Sequence, residues 1–262
     1  MTNAHDAMPL SNSVLNNSEI IIENEFAALG LHPAIVKALD DLNYKKPTPV
    51  QAQAIPAFLA GRDLLVSSQT GSGKTAAFML PALQLISQKP RPEVVKPQRG
   101  VKGRRPRPAP ACPHLIVLTP TRELAQQVTS ATTQFDKYLR RTICASIVGG
   151  MPYPRQLEML AKMPDILVAT PGRLLDHMNS GRIDLSQLSM LVFDEADRML
   201  DMGFSEDIDA IVGQTPETRQ TLMFSATLDG RTGELAADML RDPVRVAIAQ
   251  EQMDYKRIEQ RV

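Results

Sequence analysis

An α/β protein built on one twisted parallel sheet, with helices on both faces and three layers in all, is the fold this sequence predicts. Seven short apolar runs recur along the chain: "DLLVSS", "HLIVLT", "CASIVG", "DILVAT", "MLVFD", "QTLMFSAT" and "VRVAIA". They are continuous rather than alternating, as strands buried on both faces are. The segments between them are long enough for crossover helices, which parallel pairing requires. Polar clusters close the first six runs, at the strand carboxyl ends where open sheets bind ligands, so one active edge is expected. No internal repeat is visible.

Composition sets the limits. The chain has 262 residues, 43% of them hydrophobic, enough for one large domain or two small ones. No stretch approaches the roughly 18 uninterrupted apolar residues of a membrane span, and "MTNAHDAMPLSNSVLNNSE" lacks the basic and apolar regions of a signal peptide. A cytoplasmic, monomeric protein with no membrane partner is the expectation. Cys112 and Cys144 have no zinc-like spacing and read as reduced thiols.

The zero net charge conceals an asymmetry. Between Lys89 and Pro113, eight Lys or Arg stand against Glu93 alone, and seven of the twenty prolines fall there too. Such a segment cannot sustain a helix or a central strand. Residues 89–113 are therefore expected to form a flexible insertion, either passive or a basic arm attracting nucleic-acid phosphates. The expected organisation is a polar tail at 1–18, the sheet domain at 19–248 interrupted by this insertion, and a linker beginning at 249–262.

In chain order, the first run is followed by "TGSGKT" and the helical pattern "AAFMLPALQLI". Glycines there let backbone N–H groups turn inward around phosphate oxygens while the next helix aims its positive end at them. Lys74 would reach the β and γ phosphates of a nucleotide and Thr75 would ligate magnesium. Ser68 stands where the usual pattern has Gly, leaving Gly71 and Gly73 to carry the tight turns.

Phosphoryl transfer also needs a metal-holding carboxylate and a group that orients the attacking water. "MLVFDEAD" offers Asp194 for the metal and Glu195 for the water. Taken alone, these adjacent acids would instead read as dipole partners at a helix N-terminus.

"SQTGSGKT", "TPTREL", "GG", "TPGR", "DEAD" and "SAT", in this order and spacing, together resemble the DEAD-box RNA helicases of helicase superfamily 2, from about Phe26 to Ile248. The resemblance implies a RecA-like P-loop domain that binds ATP and Mg2+ and contacts RNA. It implies nucleotide contacts from Ser68, Gln69, Thr70, Gly71, Ser72, Gly73, Lys74 and Thr75. It adds the upstream element "NYKKPTPVQ", with Tyr44, Lys46 and Gln51, where the Gln51 amide would complement the N6 and N7 edge of adenine. Phe26 matches an isolated aromatic that stacks on the base. Without the other motifs, Gln51 reads as a solvated helix residue and Phe26 as a core aromatic. Asn43 stands where the family commonly has glycine, a mild departure because Asn tolerates left-handed backbone.

Pro120, Thr121, Arg122, Gly149, Gly150, Thr170, Gly172 and Arg173 match family positions that contact the nucleic-acid backbone. Hydroxyls, guanidinium groups, glycines and helix N-termini bind phosphates without reading bases. None of these clusters carries an aromatic platform, so sequence-independent binding is expected. The preference for RNA over DNA rests on the resemblance. Ser225 and Thr227 of "SAT" match residues that link the ATP and RNA sites by hydrogen bonding to Asp197; Thr227 also reads as a helix cap.

The family's second RecA-like domain carries arginine-rich motifs, and nothing like "HRxGRxGR" occurs here. The chain is therefore expected to be an N-terminal helicase half, weak or inactive alone. Two competing readings are a nucleotide-responsive RNA- or protein-binding scaffold without turnover, with the basic arm as main contact, and a DNA translocase of the same superfamily.

Overall fold

A computed structural model of the chain describes residues 24–67, 71–89, 108–139, 142–228 and 230–247. The expected tail at 1–18, the expected linker at 249–262, most of the basic segment, and Ser68, Gln69 and Thr70 lie outside the described residues.

Seven strands fall within the seven apolar runs: β1 (Leu64–Ser67), β2 (Leu115–Leu118), β3 (Cys144–Ile147), β4 (Ile166–Ala169), β5 (Met190–Asp194), β6 (Gln220–Ser225) and β7 (Val244–Ala247). They form one all-parallel sheet in the order β3-β4-β2-β5-β6-β1-β7. Successive side chains of a strand point to opposite faces, and this sorts the apolar residues into two cores. Leu64, Val66, Val117, Val168, Val192 and Phe224 face one core; Leu65, Ile116, Leu167, Leu191, Phe193 and Met223 face the other. Burying a side chain of this size contributes about 1.5–3 kcal/mol.

The first core is closed by a short 3-10 turn (Glu25–Leu29) and by α1 (Pro33–Asp41), α2 (Pro49–Leu59), α3 (Lys74–Ser87) and α4 (Arg122–Phe135). Residues of α5 (Tyr153–Leu160), α6 (Pro171–Asn179), α7 (Ala196–Asp201), α8 (Ser205–Val212) and α9 (Arg231–Met239) close the second. The chain is thus three-layered as its pattern predicts, and strand carboxyl ends share one edge because every strand runs the same way.

Both ends of the 89–113 segment belong to the folded body. Lys89 donates its amine to Ser189 Oγ, and Ala111, 1% exposed, pairs with Ile183 through bonds to Arg182 and Asp184 of 2.9 Å each. These anchors lie beside the starts of β2 and β5, at the end of the sheet opposite the polar clusters.

Candidate functional site

Gly73, at φ +79, turns the chain from the phosphate loop into α3, whose first turn has no side-chain cap. Uncapped backbone N–H groups at a helix start are donors awaiting an anion. Two contacts hold this turn. Gln51 Nε2 donates to Gly73 O at 3.0 Å and Thr48 Oγ1 donates to Ser72 O at 2.9 Å. Thr48 and Gln51 are also the capping box of α2: Thr48 N donates to Gln51 Oε1 at 2.9 Å and Gln51 N to Thr48 Oγ1 at 3.3 Å. Gln51 is therefore not a solvated helix residue. It is 4% exposed, because one amide serves the cap and the loop together.

A cavity of about 900 Å3 opens over this turn, within the size range of small-molecule sites. Phe26, Tyr44, Lys46 and Gln51 line one wall, Gly71, Gly73, Lys74 and Thr75 the floor, and α4 the other wall through Leu124, Val128 and Phe135. Phe26 is 1% exposed and packs in the first core while reaching this cavity. Asn24 pins the wall, donating through Nδ2 to Tyr44 O at 2.8 Å. Asn43 sits at φ +60, the left-handed conformation its residue type tolerates.

The cavity ends at Asp194 and Glu195. Consecutive residues of a continuing strand would send these carboxylates to opposite faces. Glu195 instead takes φ +58 and ψ +57, a left-handed geometry that costs a non-glycine residue about 1–3 kcal/mol. The kink brings both acids to one ammonium: Lys74 Nζ lies 3.1 Å from Asp194 Oδ1 and 3.2 Å from Glu195 Oε1. Arg198 reaches the other Glu195 oxygen at 3.4 Å. Glu195 precedes α7 but makes no capping bond to it.

Burial pushes the Asp194 carboxyl above the usual carboxylate range; Lys74 opposes this and Glu195 adds to it. Although Lys74 compensates its charge, Asp194 Oδ1 is not aligned with any hydrogen-bond donor, and Ser72 Oγ is likewise buried without a partner. Among the described residues no three His, Cys, Asp or Glu side chains cluster as a metal site. One buried carboxylate with spare acceptor capacity, lining the same cavity as Thr75, fits Mg2+, which keeps waters and uses few protein ligands.

The second set of predicted residues gathers along the neighbouring strand ends. Thr121 caps α4, accepting from Leu124 N at 3.3 Å. Gly149 N donates to Thr170 Oγ1 at 3.4 Å, and Arg122 Nη1 lies 3.6 Å from where a Cβ on Gly150 would stand. Arg173 Nη1 donates to Met151 O at 3.2 Å. Pro120 is buried, Gly149, Gly150 and Arg122 are exposed, and Thr170, Gly172 and Arg173 are half-buried.

Sequence reading missed what lies beneath this surface. Gln156 Nε2 donates to Val148 O at 2.8 Å and Met151 O at 3.2 Å, and its Oε1 meets His177 Nε2 at 2.7 Å. These residues, on α5 and α6, support the turn that carries Gly149 and Gly150; nothing in their spacing marks them as partners.

Asp197, two residues after Glu195, is tied to the end of β6. Its Oδ2 accepts from Thr227 N and Oγ1, both at 3.2 Å, while Asp197 N donates to Ser225 Oγ at 3.3 Å. Thr227 is not a helix cap: α9 begins at Arg231 with Gly230 before it, and the Thr227 hydroxyl is turned to Asp197 instead. Neither cysteine enters the site, and burial pushes the Cys144 thiol up to about 12.

Comparison with known proteins adds the following. The DEAD/DEAH box helicase family model matches residues 48–235. The ATP-dependent RNA helicase DeaD of Escherichia coli (strain K12) is 47% identical over 226 residues, covering 86% of this chain and 33% of that protein. SrmB of Haemophilus influenzae is 41% identical over 238 residues, 90% of this chain and 50% of that one. The chain thus spans between a third and a half of these relatives' lengths. Among solved structures, a hypothetical ATP-dependent RNA helicase from Sulfolobus tokodaii is 36% identical with a TM-score of 0.69, over 82% of this chain and 56% of that one. A DEAD box protein from Methanococcus jannaschii is 32% identical with a TM-score of 0.73, over 86% and 56%.

Proposed function

The chain belongs to the DEAD/DEAH box helicase family, and we propose that it binds ATP with Mg2+ and the RNA backbone on one sheet edge and, with a second RecA-like domain of the full-length protein, couples ATP binding and hydrolysis to local RNA duplex unwinding or RNP remodelling. The observation that carries this reading is the convergence of Lys74, Asp194 and Glu195 at the end of the cavity.

Lys74 bridges two acids. Moving it onto the β and γ phosphates exchanges one set of anions for another and releases Glu195 to orient a water and take its proton. Asp194 and Thr75 would hold Mg2+, which when bound neutralises charge on the phosphate oxygens. Phe26, Tyr44, Lys46 and Gln51 would receive the base end. The capping-box amide supports this assignment indirectly: Gln51 retains one N–H and one oxygen lone pair for an adenine edge after serving Thr48 and Gly73.

Gly149, Gly150, Thr121, Arg122, Thr170, Gly172 and Arg173 would take successive phosphates through N–H, hydroxyl and guanidinium donors. Asp197, bound to Ser225 and Thr227, would couple the two regions. Arginines supplied from a second domain across the cleft are worth roughly 10³ to 10⁵ in turnover, so the 262-residue chain is expected to bind nucleotide yet hydrolyse it weakly or not at all.

Nucleotide titration and turnover test this. Lys74→Ala should abolish ATP binding, whereas Glu195→Gln should retain it and block RNA-stimulated hydrolysis in the full-length protein. Unchanged turnover in either variant refutes the assigned roles, and equal competition by DNA and RNA strands refutes the preference for RNA.

A further inference from the structure

We propose that Tyr153 is a nucleobase-stacking contact at the end of the RNA-backbone track, which deepens the function proposed above and rests on it. Tyr153 opens α5, three residues after Gly150, and stays 38% exposed. Its ring lies on the fully buried His177 ring, with centroids 4.6 Å apart and planes inclined by 13°.

His177 is fixed in turn. Gln156 Nε2 donates to the Val148 and Met151 carbonyls, so its Oε1 accepts from His177 Nε2–H, leaving Nδ1 without a partner. Burial and the nearby Arg173 hold this imidazole below its usual pKa, hence neutral. Tyr153 therefore rests on a rigid, uncharged ring and keeps its exposed side for another flat group. Preorganised aromatics of this kind lose little entropy when they stack.

The setting selects the partner. Met151, between Gly150 and Tyr153, receives both Gln156 and Arg173 on its carbonyl, so the aromatic adjoins the turn where Gly149, Gly150, Arg122 and Arg173 gather, and we take the backbone line to run past it. A polyanion whose phosphates follow that line carries bases alongside it. Stacking tolerates any base because each has a π face, so this contact adds affinity without reading sequence. Tyr153 lies just outside the motif clusters, none of which carries an aromatic.

Fluorescence anisotropy of the 262-residue chain with single-stranded A12 and U12 RNA at low salt tests the proposal, with Arg122→Ala and Arg173→Ala as controls. Tyr153→Leu, which keeps bulk over His177, should weaken A12 by roughly five- to a hundredfold and U12 by less. Tyr153→Phe should bind as the parent does. Ultraviolet cross-linking to 5-iodouridine RNA should place an adduct on Tyr153. If the arginine variants lose affinity while Tyr153→Leu binds A12 and U12 as the parent does, the stacking contact is overturned and the backbone track stands. If neither arginine variant changes affinity, the backbone reading fails and this inference with it.

Discussion

Replacing Gln51 by Glu swaps one amide for an isosteric carboxyl at a position 4% exposed. The oxygen that accepts from Thr48 N survives, but the group that donated to Gly73 O at 3.0 Å becomes an acceptor facing an acceptor. Losing that hydrogen bond costs about 1 kcal/mol, and leaving a buried polar atom without a donor costs about 1–3 kcal/mol more. The sum, about 2–4 kcal/mol, corresponds to a fall of roughly 5–10 °C in Tm for a domain of this size. Because Gly73 opens α3, the same change should loosen the phosphate loop and weaken ADP as well as ATP. Differential scanning calorimetry without nucleotide is the decisive assay. A residue that only recognised adenine would leave the nucleotide-free protein untouched, so a Tm within 2 °C of the parent, as an order-of-magnitude margin, would refute the view that Gln51 ties the α2 cap to the loop.

Further substitutions probe the same network and its surroundings. Gly73→Ala should abolish nucleotide binding in a calorimetric titration, since a Cβ there runs into Gln51 Nε2 and the backbone is held at φ +79. Asp197→Ala removes the acceptor of both Thr227 bonds; ATP affinity should persist while RNA stimulation of hydrolysis by the full-length protein is lost, measured as steady-state phosphate release. Asp136, whose carboxyl burial raises to about 6, should destabilise the fold at neutral pH. Asp136→Asn should therefore stabilise it by about 1 kcal/mol at pH 7, allowing for partial exposure. That gain should fade in urea titrations as pH falls from 6 towards 4, because the folded parent takes up its proton before the unfolded chain does.

The sheet was legible in the sequence because strands buried on both faces must be apolar along their whole length, and all seven runs became strands. The turn from Gly71 into α3 was legible because left-handed backbone between a strand and a helix demands glycine. The ends of the 89–113 segment were not: proline and charge mark Lys89–Pro113 as unfit for a core, yet Ala111 finds a partner in Ile183, more than seventy residues away.

Local pattern states which residue types are present and how the backbone runs, and it named Lys74, Asp194 and Glu195, while Gln51 came only from the family resemblance. It could not state where their side chains meet. Strand geometry predicts that Asp194 and Glu195 diverge, and the left-handed turn at Glu195 makes them converge on Lys74. Gln51 reads as solvated until Gly73 is folded against it, and Tyr153, Gln156 and His177 read as unrelated until α5 and α6 are packed together. Such pairings span about 20 to 120 residues of chain. They depend on directions fixed by packing rather than on composition, and so they exist in the folded chain and not in its sequence.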